Sequence, residues 1–542
     1  MFHPRRPHLL ALLPFLLVLA SCWVPPRQWG LNEEGRRPVP PPPRWSGRPP
    51  YRAAGAEDRG TEPGRTELPD PLNLREAFLL ALRNNKDVLV TDLRKEADRE
   101  RIEGQKGEFD VTTFARIYRR RSTIPAVGVR TEFAGTVLEG TDQSEGFTEA
   151  GLRQRLITGT DVEVAAANNY QRDLDDGGVI DPAYNPHVRL SLSQDLLRDA
   201  GVSINRTFVS TAENDYRISS EQLRQSAIET LFEVESAYWE LYFALEDLQV
   251  RQRRLENAQK LVEVARAQAD VGISPPLDIT RASSNAAAQK SAILATRDRI
   301  RRLRHRLLRA MGVIRDELVN PQFALADSPR QLPFTTSAAE AVSVALEHRP
   351  DIQQALLRID SRRLLSHYFR NQRLPDLELF GDYLLEGLGD DLSDGIDAME
   401  DGSFNTWTVG LRFEFPFPNR SARSDYRVAR LQKQQALWQW RDTYERVVQG
   451  VGDALSGLRA AEERIETARE ARRLAQEVLR AEEKSFNLGR SNSLDVLDAQ
   501  ESLAAAERDE ARAMADYATA LANLFRVQGN LLERKGVEAP RP

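Results

Sequence analysis

The side chains able to do chemistry in this 542-residue chain are few, and those that stand out are acidic. Asp495 and Asp498 follow a glycine-containing turn, and Asp278 follows a second such turn earlier in the chain. Asp278 and Asp495 stand where a helix starts, so each can cap free amides and match the helix dipole. The usual catalytic constellations are missing around them. His187, His305, His348 and His367 are scattered without metal-ligand spacing. The sequence holds no phosphate loop, dinucleotide fingerprint or G-x-S-x-G elbow with triad partners. Two acidic clusters, Asp173/Asp175/Asp176 and Asp390/Asp391/Asp394/Asp397/Glu400/Asp401, lack calcium-loop spacing and read as solvated loops. These residues predict a protein that is not an enzyme and needs no metal or diffusible cofactor.

What positions the acids begins with targeting. Arg5 and Arg6 precede an apolar run from Leu9 to Leu19, a secretion signal too short to span a membrane. Leu19-Ala20-Ser21-Cys22 resembles the lipobox of bacterial lipoproteins, which implies cleavage after residue 21 and a covalent lipid on Cys22. Trp23 follows, not the Asp that in that family favours inner-membrane retention. Cys22 is the only cysteine, so an intramolecular disulfide is excluded. Residues 22–70 carry Pro38 and Pro40 to Pro43 among Arg and Gly and read as an extended tether. A net charge of -6 gives no basic field for nucleic acid.

Beyond residue 70 the chain repeats itself. Leu74 to Val88 returns as Ala338 to Ile352, with Glu76, Ala77, Ala81, Leu82 and Asp87 matched by Glu340, Ala341, Ala345, Leu346 and Asp351. Val271 to Ile279 returns as Leu488 to Val496, with Gly272 and Asp278 matched by Gly489 and Asp495. The offset falls from 264 in the first pair to 217 in the second, so the first copy carries 47 extra residues, near Thr136 to Asp181. We divide the chain into a signal (1–21), a lipidated tether (22–70), two repeats (71–330 and 331–533) and a tail (534–542). Each repeat reads as a helix (74–107 and 337–373), strands, a very long helix, a glycine turn and a return helix.

The long helices carry a seven-residue seam. Ala237, Leu241, Ala244, Leu248, Leu255, Ala258, Val262, Ala265 and Ala269 mark it in the first copy. Val447, Val451, Ala454, Leu458, Ala461, Ile465 and Ala468 mark it in the second. Roughly 65 helical residues at about 1.5 Å each reach on the order of 100 Å. No apolar run after the signal approaches the roughly 20 residues of a membrane-spanning helix. A closed β-barrel remains. Trp407, Val409, Leu411, Phe413 and Phe415 alternate with Thr406, Thr408, Gly410, Arg412 and Glu414, and Val188, Leu190 and Leu192 alternate with Arg189, Ser191 and Ser193. Phe109–Tyr118 and Leu377–Tyr383 are weaker strands. Gly151–Ala165 reads as a hairpin that either extends the barrel or forms an external flap.

These features together resemble the TolC-type outer-membrane efflux proteins, from about residue 71 to 533. The most specific motif is Leu488-Gly489-Arg490-Ser491-Asn492-Ser493-Leu494-Asp495-Val496-Leu497-Asp498-Ala499-Gln500. The resemblance implies a mixed α and β fold: a homotrimeric outer-membrane β-barrel, four strands per chain, continued by an α-helical coiled-coil barrel across the periplasm. It implies a passive exit duct of a tripartite efflux or type I secretion system in a Gram-negative-type bacterium. The partners would be outer-membrane lipid, a periplasmic adaptor (membrane fusion protein) and an inner-membrane pump of resistance-nodulation-division or ABC type. The turns at Gly272-Ile273-Ser274 and Gly489-Arg490-Ser491 would form the inner tip where the adaptor docks. Asp495 and Asp498 match an Asp pair that lines the constriction, and Asp278 matches an Asp of the tip lock. The lock departs from the pattern, because Ser491 replaces the family Arg and Phe486 a family Tyr, leaving Arg490 as the neighbouring candidate. A structural coiled-coil lipoprotein spacing the outer membrane from the cell wall is the alternative; it accounts for the heptads but not for the strands.

Overall fold

The computed structural model describes residues 68–125, 140–173, 180–271, 275–313, 321–331, 335–487 and 493–537, all within the compact unit Thr66–Pro542. The first copy runs α1 (Leu74–Asn84), α2 (Lys86–Lys106), β1 (Thr112–Pro125), β2 (Gly140–Arg155), β3 (Thr160–Asp173), β4 (Ala183–Asp195), α3 (Thr207–Asp270) and α4 (Pro276–Ala310). The second runs α5 (Ala338–His348), α6 (Pro350–Asn371), β5 (Asp376–Glu386), α7 (Leu392–Glu400), β6 (Asn405–Glu414), α8 (Arg420–Asn487) and α9 (Ser493–Gln528). One helical turn, Val202–Asn205, precedes α3, and another, Leu531–Arg534, follows α9. At 64 and 68 residues, α3 and α8 are each about 100 Å long.

Packing follows the seam. Every seam position of α8 from Val447 to Ala468 is buried, and Ala237, Leu241, Ala244, Ala258 and Ala265 are buried on α3. In the upper part α2, α3, α6 and α8 lie side by side, while below α3 pairs with α4 and α9, and α8 with α9.

The expected single helices 74–107 and 337–373 are each two helices, broken at equivalent places. Asn85 and Arg349 have extended backbones. Asn85 breaks the first by turning its side chain to accept from the amide of Asp87 at 2.8 Å. Pro350 breaks the second, since a residue before proline is pushed out of the helical region. Each break receives the end of a return helix. Asn85 Nδ2 donates to the carbonyl of Ala310 at 2.9 Å, and Arg349 Nη1 donates to that of Val527 at 3.0 Å. Gly312 and Gly529 then turn with φ of +71° and +74°, where a Cβ would meet Asn84 O at 2.3 Å and His348 O at 2.8 Å. Only glycine fits either joint.

The six strands form one antiparallel sheet in the order β1-β2-β3-β4-β5-β6. The first copy therefore supplies four strands and the second two, which departs from the expected four per chain. The expected hairpin at Gly151–Ala165 is the inner half of β2 and β3, paired on both sides within the sheet. Cross-strand partners share a face, so register sorts every side chain. One face carries the row Thr113, Leu152, Val164, Leu190, Tyr383 and Trp407, and beside it Ala115, Ala150, Ala166, Val188 and Leu385. The other face carries Arg116, Glu149, Arg153, Glu163, Arg189, Asp382, Glu378 and Arg412. The acidic run after Asp390, expected as a loop, holds helix α7, begun where the Asp391 side chain accepts from the Asp394 amide at 2.9 Å.

Candidate functional site

The inner ends of the long helix pairs bring the acids together. Asp278 lies in the first turn of α4 and Asp495 in the first turn of α9, at equivalent positions of the two copies. Both carboxylates suit the positive end of a helix. Asp498 follows one turn later on α9, and Asp495 and Asp498 are both exposed. Leu497, between them, is half-buried. Asp278 and Asp498 line one groove of about 380 Å3 between α3, α4 and α9. Asp495 does not line it. The tip-turn residues Gly272, Ile273, Ser274, Gly489, Arg490 and Ser491, like the lipidation site Cys22, lie outside the described residues. Phe486 falls in the last turn of α8, and its side chain is likewise outside them.

The groove also shows residues that the sequence did not single out. Arg254 of α3 reaches Glu501 of α9 at 3.2 Å, and Arg253 reaches Glu507 at 3.4 Å. Asp278 pairs with Arg281 one turn along α4 at 3.8 Å. The two arginine bridges tie the first copy's helix pair to the second's just behind the acids. One side chain of each bridge, Arg253 and Glu501, stands largely in water, so each bridge is worth about 0.2–1 kcal/mol and yields easily. Arg and Glu recur every few residues along these solvated faces, which is why spacing alone does not pick out four of them.

At the other end, the charged sheet face forms a second concave surface. Glu378 holds Arg412 at 2.7 Å, and Asp382 accepts from Ser191 at 2.7 Å. Arg153, Arg155, Asp161 and Glu163 complete this wall. The opposite face exposes Trp407 at 71%, with Val409, Leu411 and Phe413 also exposed, which no aqueous surface favours. An apolar outside and a charged inside is the pattern of a membrane barrel around a polar lumen. Among the described residues no helix is long and apolar enough to cross a membrane.

Comparison with known proteins agrees with this geometry. The family described as outer membrane efflux protein matches residues 161–313 and 341–530. The chain is 25% identical over 331 residues to the outer membrane efflux protein BepC of Brucella suis, covering 60% of this chain and 69% of BepC. It is 24% identical over 317 residues to the probable efflux pump outer membrane protein TtgC of Pseudomonas putida, covering 58% of this chain and 63% of TtgC. In structure it resembles the Campylobacter jejuni CmeC outer membrane channel, with a TM-score of 0.62 at 15% identity over 86% of this chain and 87% of that one. A coiled-coil spacer accounts for neither these matches nor the sheet. The chain belongs to the outer membrane efflux protein family, and its place is the outer membrane.

Proposed function

We propose that three copies of this chain form a passive exit duct, open through the barrel and gated at the inner helix tip. The observation that carries the reading is the joining of a two-faced membrane sheet to helices about 100 Å long. The sheet solves the passage through lipid, and the helices span an aqueous space behind it. A periplasmic adaptor docking at the tip turns would open the duct, with an inner-membrane pump of resistance-nodulation-division or ABC type supplying the energy. A lipid on Cys22 would add an anchor to the barrel.

At the tip, three copies bring six carboxylates from Asp495 and Asp498 around one bore. Like charges so crowded draw in cations and bind polyvalent ones. The lock expected at Asp278 lacks its family Arg, because Ser491 stands there. The bridges from Arg253 and Arg254 to Glu507 and Glu501 supply a replacement within one chain. Such weak links suit a gate that adaptor docking must open.

Reconstitution of the purified protein in planar bilayers tests the duct. A steady ion conductance is expected, and its absence from a purified, folded trimer sinks the reading. The variant Asp495→Ala with Asp498→Ala is expected to weaken polyvalent-cation block at least tenfold; unchanged block refutes the carboxylate ring.

A further inference from the structure

We propose that the barrel closes on eighteen strands, six from each of three chains, with β6 of one copy paired to β1 of the next. This rests on the trimeric duct proposed above, and it places the inserted hairpin in the wall rather than outside it.

The insertion is built into the sheet from both sides. All of β2 and β3 is paired, to β1 and β4 as well as to each other. Its inner turn is tied to the helical end of the molecule. Gly201 N donates to Thr158 O at 3.0 Å, and Asp195 N donates to Gly159 O at 3.1 Å. Arg155 spans to Asp195 at 3.1 Å and Asn205 at 3.3 Å, while Gln154 donates to Phe109 O at 2.9 Å. A flap needs none of these anchors.

The inserted strands also carry the faces of a barrel wall. Leu152 and Val164 continue the apolar row between Thr113 and Leu190, and Arg153 and Glu163 continue the charged one. The stagger is that of a closed barrel. The row from Thr113 to Trp407 stands one residue from the helical end of β1 but seven from that of β6, five strand-to-strand steps away. At about 3.3 Å per residue and about 4.8 Å between strands, this inclines the strands by about 40°, inside the roughly 35–45° that closure requires.

Among the described residues two edges remain open, β1 and β6. Unpaired edges cannot face lipid, so a partner must cover them. A second copy fits both at once. β1 follows directly from α2, which exposes Leu89, Val90 and Leu93, and β6 leads into α8, which exposes Val428, Leu431 and Trp438. A neighbour seated on one strand edge therefore meets an apolar helix flank below it. The contact is head-to-tail and closes a ring. Barrel diameter grows roughly linearly with strand number, so the mouth is about half again as wide as a twelve-stranded one. The barrel then offers little resistance, and the tip alone limits passage.

Cys22 is the only native cysteine, so engineered pairs read cleanly. Thr408→Cys on β6 with Arg116→Cys or Tyr118→Cys on β1 is expected to give covalent trimers under mild oxidation. Thr408→Cys with Glu163→Cys on β3 is expected to give none. Linkage to β3 instead overturns the proposal, because it puts the β1–β2 hairpin outside the wall. Electron cryomicroscopy of the unmodified protein in lipid nanodiscs counts the strands directly. Eighteen supports the proposal, and a barrel of twelve strands overturns it while leaving the duct intact. A protein that forms no trimeric barrel sinks the duct reading itself.

Discussion

The joints where each copy's return helix meets its own helix break and the tip where the acids gather are held by different kinds of interaction. At the joints the bonds are wholly or partly buried and matched in both copies: Asn85 to Ala310 and Arg349 to Val527, each beside a glycine that no other residue can replace. Tyr238 is fully buried there, donating to Leu72 O at 3.0 Å and accepting from Asp327 N at 3.1 Å; burial pushes its hydroxyl up to about 12. At the tip the links are ion pairs with one side chain of each in water, and apolar side chains such as Val271, Leu277 and Val478 stand largely in water. The difference assigns rigidity to one region and movement to the other. A gate needs both, since a weak tip can open without loss of the barrel only if the joints hold.

The strongest way to break this contrast is at a glycine joint. Gly312→Val sets a branched side chain in the left-handed region and against the Asn84 carbonyl. The backbone conformation costs about 1–2 kcal/mol and the overpacking about 1–3 kcal/mol more. Loss of folded trimer from the membrane is expected, read by heat-resistant trimer on a gel. Gly104→Val, where a Cβ meets nothing within 4 Å, is the control and leaves the trimer in place.

A second test uses the carboxyl buried beside the joints. Glu235 is 2% exposed, held by Lys535 at 2.6 Å and Trp239 Nε1 at 3.3 Å, and this pair docks the end of the chain onto α3. Burial raises the Glu235 pKa above the ordinary range, and Lys535 pulls it back. A raised acid contributes its full stability below the unfolded value and loses it as pH climbs through the folded one. Lys535→Met removes the pull, so the buried carboxylate becomes harder to ionise. The variant should be less stable by about 3 kcal/mol at pH 8, with the deficit shrinking toward pH 4. A deficit in melting temperature that does not change with pH contradicts the assignment.

Much of this architecture was legible because it repeats. The seam of α8 is one unbroken period, so sequence and burial agree residue by residue from Val447 to Ala468. β6 alternates as cleanly as a strand can. β2 does not: its outer half, Gly140 to Gly146, has no apolar alternation, and pairing to β1 and β3 makes it a strand. The helix break at Pro350 has a signal in the proline itself, which the reading of 337–373 as one helix passes over, while the one at Asn85 depends on a side chain turning back to cap its own helix. Asp278 and Asp495 were found by their match between copies and Asp498 by the motif's resemblance, whereas Arg253 and Arg254, which pair with Glu507 and Glu501, lie on faces where charge is everywhere.

The smallest effect on stability should come from the tip, and there it is most informative. Arg253→Ala with Arg254→Ala removes both tip bridges between α3 and α9 and leaves the Arg526–Glu229 pair near the joints in place. Exposed pairs contribute about 0.2–1 kcal/mol each, so the melting temperature should barely move. If these links hold the tip closed, the same loss shifts the closed-to-open balance by its full amount, since nothing else in the transition changes. A shift of about 1.4 kcal/mol is tenfold in population, so open time in bilayers should rise roughly two- to thirtyfold. Conductance per opening should stay the same, because the bore is unaltered. The opposite result, a less stable trimer with unchanged open time, would make these arginines structural and return the lock to residues around Asp278.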